Sequence, residues 1–223
     1  MVGGLGSRLR PLTNDTPKPM LRLGNRPLLH DIVEKFKVLG FRNFVMCTNY
    51  KSHVIKDYFG DGKEFEINIE YIEEKKRMGT VGALSLLKEK PDDPFFVMNG
   101  DLVTNLNFDN LLEFHNHYNA DATMCLREYA VEVPYGVVNV KNVDILSIEE
   151  KPIQKTFINA GIYVLDPVCI DLIPRDTFYN MPTLFQDMIS KNKKTISFPL
   201  QESWSDIGTI FDYESIKSKF HEY

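Results

Sequence analysis

The sequence predicts an α/β domain in which helices cover both faces of a mostly parallel sheet. Short apolar strands alternate with helix-spaced apolar residues up to residue 118, an order typical of parallel strands joined by crossover helices. From residue 122 to residue 165 four strand-like runs follow with almost no helix between them, which predicts a more antiparallel second half. No linker or repeat divides the 223 residues, so we expect a single domain covering residues 1–223.

The first half is assigned from its periodicity and its helix ends. Apolar side chains recur at helical spacing after Pro27, and Gly40 closes that helix. Thr80 is a good N-cap and is expected to start a further helix. We predict strands at residues 43–49, 67–72 and 95–98 and helices at residues 28–39, 51–59, 81–88 and 108–118.

The second half is dominated by short apolar runs separated by turns. We predict strands at residues 122–127, 136–140, 145–149, 157–165 and 195–199. Helical spacing returns near the end of the chain, which predicts helices at residues 182–191 and 209–220.

Composition and charge argue against several classes of protein. The formal net charge is −5, whereas nucleic-acid and membrane-surface binders usually present a broad basic face. No apolar run approaches the ~20 residues that span a bilayer, and no secretory signal is visible. The three cysteines are widely spaced, which favours buried thiols in a reducing compartment. We therefore expect a cytoplasmic protein without nucleic-acid or membrane partners, and we leave open whether it forms a homo-oligomer.

The beginning of the chain has the composition of a phosphate-binding loop. Gly3, Gly4 and Gly6 allow the backbone to approach a ligand and to turn its N–H groups inward. Residues 1–26 hold five basic side chains against one acidic side chain, an excess that a polyphosphate ligand would explain. Lys18 stands between two prolines, which stiffen the backbone on both sides. A lysine held in this way suits a leaving pyrophosphate or a developing negative charge.

This glycine loop does not match the two commonest nucleotide-binding patterns. Leu9 replaces the third glycine of the dinucleotide fingerprint, and residues 23–25 hold no acid where that fingerprint requires one. The Gly-Lys-Ser/Thr ending of a P-loop is also missing. An NAD-dependent oxidoreductase is therefore disfavoured, and a surface turn with scattered basic residues is the structural alternative.

Two acidic residues are candidates for a metal site. Asp101 follows the apolar strand predicted at residues 95–98, where open α/β sheets bind their ligands. Asp206 lies just before the last predicted helix. Carboxylates beside phosphates favour Mg²⁺, which prefers oxygen ligands and shares them with substrate phosphates. The alternative for each residue is an aspartate that caps a turn or a helix.

A second group of residues has the chemistry of a sugar-phosphate site. Glu150 and Lys151 stand at the end of one predicted strand, Asn159 and Gly161 lie in another, and Gly136 begins a third. Carboxylate, amide and backbone N–H groups suit sugar hydroxyls, and a lysine suits a phosphate. The alternative is a charged strand end beside a sheet that contains glycines.

Eight short motifs run through the chain. They are Gly3-Gly4-Leu5-Gly6-Ser7-Arg8-Leu9-Arg10-Pro11-Leu12-Thr13, Pro17-Lys18-Pro19-Met20, Gly79-Thr80-Val81-Gly82-Ala83, Asn99-Gly100-Asp101, Tyr135-Gly136-Val137-Val138, Glu150-Lys151-Pro152, Asn159-Ala160-Gly161 and Trp204-Ser205-Asp206-Ile207-Gly208. In type and order they resemble the motifs of the sugar-1-phosphate nucleotidylyltransferases, and the guanylyltransferase branch most of all. The resemblance covers essentially the whole chain.

The resemblance implies a Rossmann-like three-layer α/β/α domain with a mostly parallel mixed sheet. It also implies a Mg²⁺-dependent reaction in which a sugar 1-phosphate attacks a nucleoside triphosphate and pyrophosphate leaves. The implied catalytic residues are Arg8, Lys18 and Asp101, and the implied metal ligands are Asp101 and Asp206. The implied nucleotide-binding residues are Gly3, Gly4, Gly6, Ser7, Glu73, Gly79, Thr80 and Asn99, and those for the sugar phosphate are Gly136, Glu150, Lys151, Asn159 and Gly161.

The base and the sugar are specified less closely. Glu73 and Glu74 stand where uridylyl- and thymidylyltransferases tend to carry glutamine. A carboxylate can accept from both N1–H and N2–H of guanine, so GTP is favoured, with UTP or dTTP as the alternative. The sugar 1-phosphate is that of glucosamine, mannose or glucose.

Two further expectations concern the beginning of the chain and the possibility of an inactive protein. Only Met1 and Val2 precede the glycine loop, whereas such a loop is normally entered from an apolar strand. Either the first strand is very short or the sequence is the cut-down end of a longer polypeptide, and we favour the second alternative. A preceding regulatory module with paired CBS domains would fit a longer chain. A catalytically silent subunit that senses a nucleotide-sugar is a further alternative. Its mark would be loss of the charged catalytic and metal-binding residues, all of which are present.

Overall fold

The computed structural model describes residues 1–220, which form twelve strands and five α-helices. The helices are α1 (Leu28–Val38), α2 (Ser52–Phe59), α3 (Phe108–His117), α4 (Met181–Ser190) and α5 (Ile210–Phe220). The strands are β1 (Arg22–Leu23), β2 (Arg26–Pro27), β3 (Asn43–Thr48), β4 (Asn68–Glu73), β5 (Phe95–Met98), β6 (Leu102–Thr104), β7 (Ala122–Glu132), β8 (Gly136–Lys141), β9 (Asp144–Glu150), β10 (Ile153–Leu165), β11 (Thr195–Pro199) and β12 (Trp204–Asp206). None of the helices in this range has the length and apolar character that a bilayer crossing demands.

The central sheet is mixed. Four strands are hydrogen-bonded in the order β11-β7-β10-β5, with β10 antiparallel to both neighbours and β11 parallel to β7. Strands β3 and β4 form a separate parallel pair. The backbone of Met1 and Val2 connects the two groups, because Met1 bonds to Met98 and Gly100 at the end of β5 and Val2 donates to Cys47 in β3.

Alternate side chains of the central strands enter different cores, so the domain has three layers. On β5, Val97 packs in a cluster with α4, whereas Phe96 packs on the opposite face with α1 and α3. On β3, Cys47 belongs to the α4 side and Met46 packs against α1 and α2. The predicted α/β class, with helices on both faces of a mixed sheet, is confirmed.

Most predicted helices and strands are confirmed, but the helix at residues 81–88 is wrong. This segment forms only a short 3₁₀ helix, Gly82–Leu86. Thr80 does not cap it, because its hydroxyl accepts from the backbone N–H of Met181 at the start of α4. Gly82 packs so closely on another segment that a Cβ would lie 2.4 Å from the Thr177 carbonyl oxygen. Tertiary packing therefore overrides the local helical pattern here.

Strands β7 and β10 are longer than predicted and extend together into an exposed arm. Their pairing continues to Glu132 opposite Ile153, and the β8–β9 hairpin lies between them in sequence. The exposed arm thus comprises the outer ends of β7 and β10 together with this hairpin. Side chains along this part are exposed on both faces. A strand without a buried face has no alternating pattern, which is why the sequence underestimates its length.

Candidate active site

The glycine loop, residues 3–13, is closed by a contact between Gly6 and the Thr13 side chain. Gly6 has a left-handed backbone (φ 60°), and a Cβ there would be 3.0 Å from the Thr13 side chain, so glycine is needed. The Thr13 hydroxyl donates to the Gly6 carbonyl oxygen over 2.8 Å. Gly4 and Ser7 remain exposed on this loop, and no described atom lies within 4 Å of a Cβ built on Gly4. The closed turn therefore leaves open space at its surface.

Strand pairing brings the two predicted metal ligands together. β12 runs antiparallel to β6 with Asp206 opposite Leu102, and the Ile207 N–H donates to the Asp101 carbonyl oxygen over 3.2 Å. Ile207 is buried with Leu9 and α5, which holds these strands against the glycine loop. Neither strand is predicted from the sequence, because three residues are too few to show a periodicity.

The Lys18 ammonium group lies between these two carboxylates. Its Nζ donates to Asp101 Oδ2, and it donates to Asp206 Oδ1 over 3.1 Å. The exposed fraction of the Lys18 side chain is 11%, against 26% for Asp101 and 45% for Asp206. Partial burial weakens solvent screening, so these charges interact more strongly than a surface ion pair. One positive and two negative charges leave a net negative site that a second cation can offset.

The donor set fits a Mg²⁺ ion that is shared with a bound phosphate. Mg²⁺ is usually held by one or two carboxylates together with substrate phosphates and water. Asp101 and Asp206 supply two carboxylates, both partly exposed. Residues 1–220 contain no group of three His, Cys, Asp or Glu side chains that could hold a metal ion. The protein therefore offers part of a coordination shell and leaves the rest to a ligand.

Arg8 lies close to the same segment on an exposed part of the glycine loop. A Cβ on Gly208 would be 3.7 Å from Arg8 Nη1, and the Gly208 N–H donates to the Asp206 carbonyl oxygen. A Cβ at this position would be in ordinary van der Waals contact with the guanidinium group, so the two residues are neighbours. Arg8, Lys18 and the carboxylate pair are thus gathered around one end of the loop.

The two adjacent glutamates at the end of β4 point in different directions. Glu73 accepts from Lys56 over 2.6 Å and from Ser52 over 3.1 Å, both on α2. Glu74 lies beside the glycine loop instead, because a Cβ on Gly3 would be 3.4 Å from its Oε1. Successive residues of a strand point to opposite faces, which explains the divergence. Of the two, Glu74 and not the predicted Glu73 is brought to the loop.

Glu74 is half-buried, and burial makes its charged form less favourable than it is in water. Burial raises the pKa of Glu74 above its ordinary value of 4.5, although a hydrogen bond from the Met78 N–H and the charge of the N-terminal ammonium group act in the opposite direction. The Asn49 side-chain amide donates to the Glu74 carbonyl oxygen over 2.9 Å and holds this backbone in place. Asn49, Glu74 and Gly3 form one wall, of which the sequence motifs identify only Gly3.

Gly79 and Thr80 hold a neighbouring segment against α4. Gly79 has a positive φ of 76°, and a Cβ there would be 2.5 Å from the Tyr179 carbonyl oxygen. The Thr80 N–H donates to Asn180 Oδ1 over 3.2 Å, and the Thr80 hydroxyl accepts from Met181 over 2.8 Å. The Thr80 hydroxyl is thus engaged by the fold, and the nucleotide contact predicted for these two residues stays a prediction.

Asn99, Asn159 and Gly161 meet where β5 ends. The Asn99 N–H donates to the Gly161 carbonyl oxygen over 3.0 Å. Asn159 Oδ1 accepts from the Gly161 N–H and from the Tyr163 hydroxyl, each over 2.9 Å. The register of β10 shifts between Asn159 and Tyr163, a bulge in which Gly161 adopts a φ of 73°. The bulge thus brings one residue predicted for the nucleotide beside two predicted for the sugar phosphate.

Gly136, Glu150 and Lys151 lie on the exposed arm. Gly136 pairs with Glu150, and a Cβ on Gly136 would be 3.0 Å from Glu150 Oε2. Lys151 has a left-handed backbone (φ 48°), and its N–H donates to the Tyr135 carbonyl oxygen. The arm is not tied to the Lys18 site by an ion pair. Within residues 1–220, Lys18 pairs with Asp101 and Asp206 and not with Glu150. Their predicted contact with a sugar phosphate stays a prediction.

One positioning interaction lies outside all the sequence motifs. Arg127 Nη1 donates to three successive carbonyl oxygens, those of Leu200, Gln201 and Glu202, over 3.2, 3.2 and 2.9 Å. These bonds fix the segment that leads into β12 and its Asp206. No local pattern reveals them, because the partners are 73 to 75 residues away in the sequence.

Curated relatives carry one activity in their names. The chain is 36% identical over 224 residues to a mannose-1-phosphate guanyltransferase of Yarrowia lipolytica. It is 35% identical over 226 residues to a mannose-1-phosphate guanyltransferase of Schizosaccharomyces pombe. Each alignment covers 96% of this chain and 61% of the relative. The chain therefore spans about three fifths of the length of the curated relatives that it matches.

Solved structures share the fold over nearly the whole chain. HddC from Yersinia pseudotuberculosis, complexed with GMP-PN, is 26% identical with a TM-score of 0.72, covering 98% of this chain and 96% of that one. A UDP-glucose pyrophosphorylase complexed with UDP-glucose is 18% identical with a TM-score of 0.76, covering 99% and 96% of the two chains, and supports the fold alone. The nucleotidyl transferase family model matches residues 1–222. The chain therefore belongs to the nucleotidyl transferase family.

Proposed function

We propose that this chain transfers a nucleotidyl group from a nucleoside triphosphate, with GTP favoured, to a sugar 1-phosphate. The observation that carries the proposal is the Lys18 ammonium group held between Asp101 and Asp206 beside the glycine loop. This arrangement offers cations and carboxylates for phosphate chemistry. The names of the curated relatives support GTP and make mannose 1-phosphate the first sugar to test.

In the proposed reaction, a phosphate oxygen of the sugar 1-phosphate attacks the α-phosphorus of the triphosphate in line. A new P–O bond joins the two phosphates, while the bond from the α-phosphorus to the α–β bridging oxygen breaks. Pyrophosphate leaves with that electron pair. A phosphate monoester is largely dianionic at neutral pH, since its second pKa is about 6, so no side chain has to remove a proton. The protein's task is to position two anions and to offset their charge.

The glycine loop would bind the triphosphate. The exposed backbone at Gly4 and Ser7 can donate N–H groups to phosphate oxygens without a side chain in the way. Arg8 adds a planar guanidinium group that can contact two phosphate oxygens at once. The buried Leu9 keeps this loop in place while its outer surface meets the ligand.

Lys18 and its two carboxylate partners, Asp101 and Asp206, would act on the phosphates that react. Lys18 is held by two carboxylates, so its ammonium group is already oriented when charge develops on the leaving pyrophosphate. Asp101 and Asp206 would hold Mg²⁺, which when bound offsets phosphate charge as a Lewis acid. The carboxylates thereby keep two cationic groups next to two anionic substrates.

Glu74 is the residue that we propose for base recognition. Its half-buried carboxylate lies next to Gly3, whereas Glu73 is engaged by Lys56 on the surface. A carboxylate accepts from both N1–H and N2–H of guanine, whereas uracil and thymine offer only one such donor. A buried acceptor left without its donors is costly, and this cost supports discrimination between bases.

The sugar phosphate would bind on the side of the bulge in β10. Asn159 and Gly161 lie there beside Asn99 at the end of β5, and this proximity supports neighbouring positions for the two substrates. Glu150 and Lys151 would contribute from the arm, the first to sugar hydroxyls and the second to the phosphate.

We expect the reaction in the cytoplasm, because the three cysteines are free and buried.

The test is pyrophosphate release with Mg²⁺ across GTP, UTP and dTTP, each combined with mannose, glucose and glucosamine 1-phosphates. One sugar with GTP is expected to give the highest kcat/KM. A higher value with UTP or dTTP would contradict the base assignment. Folded protein that releases no pyrophosphate in any combination, yet binds a nucleotide-sugar in calorimetry, would be a silent sensing subunit instead.

A further inference from the structure

Asn180 stands at the N-cap position of α4, but its side chain bonds to another segment of the chain. An asparagine at this position normally accepts a hydrogen bond from an N–H of the first helical turn. Within residues 1–220, Asn180 forms no such bond, and its Oδ1 accepts instead from the Thr80 N–H over 3.2 Å. The two residues are 100 positions apart in the sequence, so this contact joins α4 to the loop that follows β4.

Thr80 caps α4 in place of Asn180. Its hydroxyl accepts from the Met181 N–H over 2.8 Å, and Met181 is the first residue of α4. The first N–H groups of a helix have no partner inside the helix, and a hydroxyl oxygen satisfies one of them. Thr80 thus caps the helix, and Asn180 in return binds the Thr80 backbone. We call this pair of hydrogen bonds the reciprocal cap.

Backbone pairing extends the reciprocal cap on both sides of Thr80. The Tyr179 N–H donates to the Met78 carbonyl oxygen over 3.0 Å, and the Gly82 N–H donates to the Tyr179 carbonyl oxygen over 3.1 Å. Tyr179 is itself tied to α4, because its hydroxyl donates to Asp187 Oδ2. Met78 is buried in the core that contains α4. The loop is therefore bound to the start of α4 from Met78 to Gly82.

Met78 connects this loop to the Glu74 carboxylate. The Met78 N–H donates to Glu74 Oε2 over 3.3 Å, whereas Oε1 lies 3.4 Å from a Cβ built on Gly3. The Glu74 backbone has separate anchors, because its N–H donates to the Thr48 carbonyl oxygen over 2.8 Å and its carbonyl oxygen accepts from the Asn49 amide. The end of β3 thus holds the Glu74 backbone, while the loop bound to α4 holds the direction of its side chain.

We propose that the reciprocal cap sets the direction of the Glu74 carboxylate and thereby base selection, with Asn180 as a positioning residue. The inference rests on the proposed function, because it takes Glu74 as the acceptor for guanine. Discrimination between bases requires an acceptor that is held in one direction by the residues behind it. Asn180 belongs to none of the sequence motifs, and its bond to Thr80 acts on the base through Met78 and Glu74.

The test compares Asn180→Ala with Asn107→Ala, a matched control at the N-cap of α3. Both helices have 10 residues, and Asn107 caps its own helix by accepting from the Asn110 N–H over 3.1 Å. Both variants should lower the midpoint of denaturant unfolding to a similar extent. Only Asn180→Ala should lower the ratio of the UTP to the GTP dissociation constant, by about 3-fold or more.

A conservative variant completes this comparison. Asn180→Asp keeps an oxygen that can accept from the Thr80 N–H, so it should keep the ratio of the parent protein. A ratio that is unchanged in Asn180→Ala, or lowered equally in Asn107→Ala, would overturn the proposal.

Calorimetric binding separates this inference from the proposed function. Both dissociation constants can be measured on protein that releases no pyrophosphate. Absence of pyrophosphate release, together with loss of base discrimination in Asn180→Ala, would contradict the proposed function and support the reciprocal cap. A parent protein that binds GTP and UTP equally would overturn the inference, with or without pyrophosphate release.

A measurement on the unchanged protein does not depend on how well the variants fold. Saturating GTP should slow hydrogen exchange at the Met78 amide more than saturating UTP does, because guanine would hold the carboxylate to which this amide donates. The Asn110 amide, which donates to Asn107, is the reference and should exchange equally with both nucleotides. Equal slowing of Met78 exchange by GTP and UTP would overturn the proposal.

Discussion

The indole nitrogen of Trp204 donates a hydrogen bond of 2.9 Å to the carbonyl oxygen of Ala160. This bond ties β12, which ends at Asp206, to the bulged part of β10, which carries Asn159 and Gly161. The proposed metal side and the proposed sugar side of the site are thereby held at a fixed separation. Trp204 is thus a positioning residue for both.

Replacing Trp204 by phenylalanine keeps an aromatic ring and removes the indole N–H. We expect the KM for the sugar 1-phosphate and the Mg²⁺ requirement to rise more than the KM for the nucleotide. The free energy of unfolding should fall by about 1 kcal/mol, the usual effect of losing such a bond. Tyr213→Phe is the matched control, since its hydroxyl also donates to a backbone carbonyl, that of Arg22, over 2.8 Å. Equal changes in KM for both variants would point to general loosening instead.

Replacing Lys18 by methionine removes the cation between Asp101 and Asp206 and keeps a similar volume. We expect kcat to fall on the order of 10² to 10³-fold, as when one preoriented charge-stabilising group is lost from an active site. Pyrophosphate release reports the change. Lys37→Met is the control, because Lys37 also forms an ion pair, with Glu66 at the surface, and should leave kcat unchanged. Full activity of the Lys18 variant would remove it from the catalytic residues.

Asp101→Asn and Asp206→Asn test whether the two carboxylates act together on a metal ion. Each variant should need on the order of 10-fold more Mg²⁺ for half-maximal activity, because one of its two carboxylate ligands is neutral. The double variant should cost less than the product of the two single effects, since the residues share one ion. Asp15→Asn, an exposed aspartate of the same region paired with Lys51, is the control. A Mg²⁺ dependence unchanged in both single variants would contradict the assignment.

The sequence reveals long, regular elements and fails where tertiary contacts decide. α1 and β5 are predicted well because their periodicity is local. β6 and β12 are missed because they are short, and the segment after Thr80 is read as a helix although it packs against α4 as a 3₁₀ turn. Local spacing contains no information on these contacts.

The candidate site divides in the same way. The glycine loop and Lys18 can be read from residue type and spacing. The contact between Lys18 and Asp206 joins residues 188 positions apart, and only the pairing of β6 with β12 creates it. The choice between Glu73 and Glu74 depends on which face each residue takes where β4 ends. Two adjacent acids in a sequence do not settle that direction.

Glu74→Gln and Glu73→Gln form a matched pair for base selection. The first replaces the carboxylate beside Gly3, and the second replaces one that already accepts from Lys56 and Ser52. We expect only Glu74→Gln to lower the ratio of kcat/KM for GTP to that for UTP, by about 10-fold or more, because one guanine donor loses its acceptor. A larger effect at Glu73, or none at either residue, would contradict base recognition by Glu74.

The same two variants should shift the pH dependence of stability in opposite directions. Burial raises the pKa of Glu74, so its contribution to the free energy of unfolding is present below 4.5 and is lost as pH rises through the folded-state pKa. Glu74→Gln should therefore gain stability relative to the parent as pH rises from 4.5 through the folded-state pKa of Glu74.

Glu73 should show the opposite trend. The hydrogen bonds from Lys56 and Ser52 lower the pKa of Glu73, so its contribution to the free energy of unfolding is present above pH 4.5 and is lost as pH falls through its folded-state pKa. Glu73→Gln should therefore lose stability relative to the parent as pH rises to about 4.5. Denaturant unfolding of the three proteins from pH 3.5 to pH 7 without nucleotide or Mg²⁺ measures both trends, and a common sign would contradict the different surroundings of the two carboxylates.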